Sequence, residues 1–249
     1  MEVASSNGSY VEKSPYELKP GPYSSHTLAF QALPERGEGR WVLDVGCAAG
    51  YASEILAARG YRVVGVDRPG IVPGGASENQ MFVEADLDSG LPGFGRMFDF
   101  VLCLDILEHL RDPLKLLGQI PRLLSSEGVL IASLPNSGNI YFRLNVLLGR
   151  FPADDRGLFD RTHLHFYTWA GWLQLFSPAG FRIQSVKPSS VPVGLALGST
   201  GAGPLVGALE TVWYWAARIW KKLFAYQFIV VATHREDHAG VDHAGVDDE

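Results

Sequence analysis

Between residues 41 and 134, short apolar runs alternate with segments of helical pattern. No other feature constrains the fold as strongly. Trp41-Val-Leu-Asp-Val45 ends at a glycine, residues 61–66 end at Asp67, Met81-Phe-Val83 ends at Glu84-Ala-Asp86, and residues 98–104 and 128–134 supply two more runs. Each is short, apolar and rich in β-branched residues, the signature of a strand buried on both faces. Residues 51–58 have helical spacing and stop at Gly60. Asp112-Pro113 offers an N-cap and a first-turn proline for a helix expected to run to Leu124. Strands separated by helices give an α/β chain: a parallel sheet covered on both faces.

The rest of the chain is less regular. Residues 1–23 are polar and rich in turn-formers, an N-terminal arm without the apolar core of a signal peptide. A short helix is expected from Ser24 to about Leu33. After Pro135 the pattern lapses over 139–151, returns as a helix over 168–177 and a strand over 180–186, then gives a long helix over 204–224 and a last strand over 225–233. From residue 235 onward one base stands against six acids, and His-Ala-Gly-Val-Asp occurs twice. Such composition marks a disordered acidic tail, 235–249. The globular domain is therefore 24–234, with insertions at about 136–168 and 188–224. The net charge of −6 disfavours nucleic acid as a partner. Two cysteines exclude a disulfide scaffold; Cys47 and Cys103 read as buried, reduced thiols, which suits a cytoplasmic protein.

The first strand leads into Asp44-Val-Gly46-Cys-Ala-Ala-Gly50. Glycines at a strand-to-helix turn let the backbone bend sharply and approach a ligand. The spacing is not that of the dinucleotide fingerprint, and Asp44 would repel a pyrophosphate but attract an ammonium group. Asp67 ends the second strand, where a carboxylate can bind a ribose diol. Asp86 ends the third, placed to accept from an exocyclic amine. Ammonium, ribose and adenine amine together describe S-adenosylmethionine.

With these residues the chain resembles the class I S-adenosylmethionine-dependent methyltransferases, nearest the type 11/type 23 group that includes ubiquinone-biosynthesis O-methyltransferases. The resemblance covers Val42 to Gly50, Val64 to Asp67, Glu84 to Leu87, Phe98 to Asp105, Leu107-Glu-His109, Asp112-Pro113 and Leu158 to Thr168. It implies a Rossmann-like fold, with a seven-stranded, mostly parallel sheet whose last strand is antiparallel. It implies that Asp44 serves the methionine ammonium, that Gly46, Cys47 and Gly50 form the approach turn, and that Asp67 binds the ribose. Asp86 and Leu87 would hold the adenine, and Leu104 and Asp105 would flank the methionine part. Ala48 stands where many members carry glycine, which is cheap if its φ is negative.

Methyl transfer to a hydroxyl oxygen leaves a proton to be accepted, a task for His109 or His163. Asp105, Glu108 and His109 have a spacing that could hold a divalent cation, but no metal is expected. The acceptor is expected to be a small molecule or a glycan- or lipid-linked compound, covered by 139–151 and 160–168. Aromatics beside Lys221 and Lys222 over 205–224 suit peripheral membrane contact or a homodimer. An NAD-dependent epimerase or dehydrogenase lacks its motifs here. A cofactor-binding partner protein without turnover is the non-enzymatic rival.

Overall fold

The computed structural model describes residues 21–73, 77–191 and 203–235. Most of the expected arm, part of the 188–224 insertion and nearly all of the acidic tail lie outside them. Seven strands form one sheet in the order β3-β2-β1-β4-β5-β7-β6. They are β1 (Trp41–Val45), β2 (Arg62–Asp67), β3 (Gln80–Glu84), β4 (Phe98–Leu104), β5 (Leu124–Pro135), β6 (Phe181–Pro188) and β7 (Gln227–His234). The first five pair in parallel, and β7 runs antiparallel to both β5 and β6. The chain order reverses between β1 and β4, so the carboxyl ends of β1, β2 and β4 face one crevice, the usual ligand position in an open α/β sheet.

Helices cover both faces. α1 (Ser25–Phe30) and α2 (Tyr51–Ala58) pack on one side, against Val42, Val63, Leu102 and Ile131. α3 (Pro113–Leu117) and α5 (Trp169–Phe176) pack on the other, against Leu43, Val45, Val101 and Ala132. Alternation along β1 therefore sends Val42 and Asp44 to the α2 side and Leu43 and Val45 to the α3 side. The fully buried Trp172 ties α5 to the sheet, its Nε1 donating to the Pro135 carbonyl at 2.8 Å.

Three expectations are corrected. The helix expected from Asp112 to Leu124 divides: Asp112 caps it through Lys115 N, but α3 ends at Gly118 and a 3₁₀ turn at Ile120–Arg122 follows. Pro121 has no N–H to continue an α-helical ladder. The long helix over 204–224 divides at Trp220 (φ −133°, ψ 72°) into α6 (Pro204–Ile219) and α7 (Lys221–Phe224). Residues 139–151, expected to be irregular, contain α4 (Ile140–Leu147), capped by the Asn139 side chain on Tyr141 N. No amphipathic pattern announced α4, because most of its apolar residues stay exposed and only Phe142 is buried.

Candidate functional site

The turn after β1 is built from alternating left-handed residues: Gly46 (φ 77°), Ala48 (φ 47°) and Gly50 (φ 78°). Gly46 N and Cys47 N both donate to the Val66 carbonyl, fastening the turn to β2. A Cβ at Gly46 would lie 2.6 Å from the Ile106 side chain, and one at Gly50 2.9 Å from Pro73 and 3.0 Å from Phe82. Both glycines thus serve backbone conformation and close packing together. Ala48 corrects the expectation of a negative φ. It holds a conformation that costs an L-residue roughly 1–2 kcal/mol, offset by its N–H donating to Asp67 Oδ2 at 2.8 Å.

Asp44 is buried, with Ser53 of α2 donating to its Oδ2 at 2.8 Å. Burial pushes its pKa up to about 6; the Ser53 bond opposes the rise and the nearby Asp67 charge adds to it. A carboxylate held this far from water suits a cationic partner, which would restore its ionised form. Asp67 anchors the turn with one oxygen and accepts from Arg68 N with the other, at 2.7 Å. Each oxygen keeps a lone pair for a diol. Asp86 is exposed and committed to a turn, accepting from Asp88 N and Ser89 Oγ, while Leu87 beside it is buried. Cys47 and Cys103 are buried thiols, and burial pushes both far above the ordinary thiol range. The turn therefore has the chemistry for an ammonium and a ribose at Asp44 and Asp67, while Leu87 belongs to the core cluster that includes Val45 and Val66.

Leu104 ends β4 in the core, and Asp105 turns the chain with a left-handed φ of 55°. Asp105 Oδ1 accepts from Ser133 Oγ and from Gln227 Nε2, both at 2.6 Å. Sequence reasoning missed Ser53, Ser133, Ile106 and Gln227. The one signal for Gln227 was a lone amide in an apolar strand, where a buried polar group requires a partner.

Past Asp105, a 3₁₀ turn (Leu107–His109) presents Glu108 and His109. The Glu108 carbonyl accepts from Leu164 N and His165 N, clamping the 160–168 segment over the end of β4. This brings His163 Nε2 to 3.8 Å from Glu108 Oε1, with the two side chains 5% and 1% exposed. The His163 and His109 rings meet edge to face at 4.7 Å. Thr162 Oγ1 donates to Asp160 Oδ1 at 2.6 Å and lies 3.0 Å from His109 Nδ1. With the hydroxyl proton given to Asp160, Nδ1 is the donor, which puts the lone pair of a neutral His109 on Nε2. His165 is structural, with Nε2 2.9 Å from the Leu110 carbonyl and its ring stacked on Tyr167. Glu108, His109 and His163 could hold a metal ion, since their ligand atoms lie within 4.8 Å of one another; Asp105, the third member of the sequence-derived trio, belongs instead to the Ser133–Gln227 network.

Residues 21–186 match the family described as a methyltransferase domain. A Mycolicibacterium smegmatis protein named as a probable S-adenosylmethionine-dependent methyltransferase is 30% identical over 178 residues, covering 70% of this chain and 64% of that one. A ubiquinone biosynthesis O-methyltransferase from Pseudomonas syringae is 34% identical over 133 residues, 48% of this chain and 55% of that one. The chain thus spans less than two thirds of the length of these curated relatives. Among solved structures, an S-adenosylmethionine-dependent methyltransferase from Mesorhizobium loti superposes with a TM-score of 0.56 at 20% identity, covering 85% of this chain and 98% of that one. The fold and the strand-end turn define a class I methyltransferase. The chain belongs to the methyltransferase-domain family.

Proposed function

We propose that this methyltransferase places a methyl group on a hydroxyl oxygen of a small molecule or of a glycan- or lipid-linked acceptor, with His163 accepting the hydroxyl proton. The sulfonium cofactor supplies an electrophilic methyl carbon, so the protein's task is alignment and proton removal. Asp44 would hold the ammonium of bound S-adenosylmethionine and Asp67 its ribose, with Leu87 at the adenine end and Asp86 supporting that end through its turn. The Asp105–Ser133–Gln227 network steadies the end of β4, and Leu104 lines the methionine side. Acceptance of the proton makes His163 an imidazolium, which the buried Glu108 carboxylate favours. His109, oriented by Thr162 and Asp160, shapes the other side of the acceptor position.

The observation that carries this reading is the His163–Glu108 pair, buried just past the carboxyl end of β4, the strand that pairs with β1. The test is transfer from cofactor bearing a deuterated methyl group into fractionated acceptor pools. Fragmentation spectra placing the label on oxygen support the proposal; label on nitrogen or carbon refutes it.

A second reading follows from the same cluster. Glu108, His109 and His163 have the donor types of a zinc or iron site. The base reading requires that chelator leave turnover intact. Loss of turnover that zinc or magnesium restores would put a cation there instead.

A further inference from the structure

Two helices turn apolar faces outward. On α4, Tyr141, Leu144 and Leu147 are exposed, Leu147 by 80%, and Leu148 continues the stripe. On α6, Leu209, Val212, Trp215 and Ile219 fall on one helical face, all exposed, Ile219 by 86%. The opposite side of α6 is occupied: Ala217 is buried and Tyr214 stacks on Tyr23 at 4.2 Å. α4 starts at the end of α7, the short helix that follows α6: Asn139, the cap of α4, donates through Nδ2 to the Phe224 and Ala225 carbonyls. A soluble surface rarely leaves this much apolar area uncovered without a partner.

Charge indicates which partner. Residues 136–151 and 204–226 contain five bases (Arg143, Arg150, Arg218, Lys221 and Lys222) and one acid, Glu210, whose carboxylate lies beside Gly21, in a chain whose net charge is −6. Apolar and tryptophan-bearing helix faces flanked by lysine and arginine have the composition that settles into an anionic lipid headgroup layer. No helix among the described residues is long and apolar enough to cross a membrane, which leaves a surface position.

The patch also reaches the candidate site. Tyr141, on the exposed face of α4, meets Phe159 at 5.8 Å, Phe159 meets Phe151 at 5.2 Å, Phe151 meets Phe166 at 5.2 Å, and Phe166 meets His163 at 5.9 Å. An aromatic path thus leads from the exposed face of α4 to the acceptor side. We infer that the α4 and α6–α7 faces dock this protein on an anionic phospholipid bilayer, so that an acceptor embedded in the membrane enters beside His163. The purpose of docking rests on the proposed acceptor site; the docking itself does not.

Vesicle flotation of the full-length protein tests this without turnover. Vesicles of phosphatidylcholine alone are compared with vesicles containing roughly one third phosphatidylglycerol. The anionic vesicles should carry the protein at least about tenfold better, and high salt should release it. Arg150→Gln with Lys222→Gln should lower partitioning roughly tenfold or more. Leu147→Asp with Ile219→Asp should abolish it. All variants should keep the affinity of the unaltered protein for S-adenosylhomocysteine, which shows that they remain folded. Failure to float with either composition overturns the inference, as does equal flotation with both. So does a homodimer, seen by light scattering, that ignores vesicles and is split by Ile219→Asp.

Discussion

Asp44 lends itself to a quantitative test because its burial and its proposed partner have opposite effects. In the free protein, burial holds its pKa at about 6. An ammonium placed against it should return the pKa to the ordinary carboxylate range, near 4. At pH 5 the free carboxyl is then mostly protonated while the bound one is mostly ionised. Binding must release about 0.8 proton at that pH, and affinity should fall about tenfold, or roughly 1.4 kcal/mol, between pH 7 and pH 5. Titration calorimetry with S-adenosylhomocysteine, in two buffers of different ionisation enthalpy, reads both quantities. Asp44→Asn should bind weakly at pH 7 and lose the pH dependence. An affinity flat from pH 5 to 7, or the same slope in Asp44→Asn, would refute the placement of the ammonium at Asp44.

The same shift has a cost in the free enzyme. A raised folded-state pKa stabilises the fold fully below about pH 4 and is lost as pH rises through 6, so Asp44→Asn should stabilise the cofactor-free protein by about 3 kcal/mol at pH 7.5, measured by denaturant unfolding. Ala48→Gly should raise thermal stability by up to about 1 kcal/mol, relief of the left-handed strain at φ 47° outweighing glycine's entropy; no gain would remove the strain argument. Gly46→Ala should cost at least about 2 kcal/mol, since its Cβ would strike Ile106, and adding Ile106→Ala should recover part of the loss in the same unfolding assay.

The frame of the molecule was legible because short buried strands announce themselves by composition. The limits of β1, α2 and β4 match the expected 41–45, 51–58 and 98–104. Hidden features depended on contacts distant in sequence. The left-handed φ of Ala48 is held by an aspartate nineteen residues away, and the partner of Asp105 is an amide 122 residues away. The α4 helix was hidden for another reason: its apolar residues face outward, so the periodicity that reveals a helix packed on a core was missing. Asp86 was read from its strand-end position, yet position alone could not show that both oxygens cap a turn. His109 and His163 lie 54 positions apart, and nothing short of the fold shows that their rings touch.

The most direct test of the account is a comparison of methyl transfer by the unaltered enzyme, His163→Ala, Glu108→Gln and His109→Ala on the acceptor found by label transfer. If His163 accepts the proton, His163→Ala should lower kcat by roughly 10²–10⁴-fold with cofactor affinity nearly unchanged. Glu108→Gln should lower it less and shift the pH profile, because its effect passes through His163. Full activity in His163→Ala, with His109→Ala inactive, would contradict the account and move the base to His109.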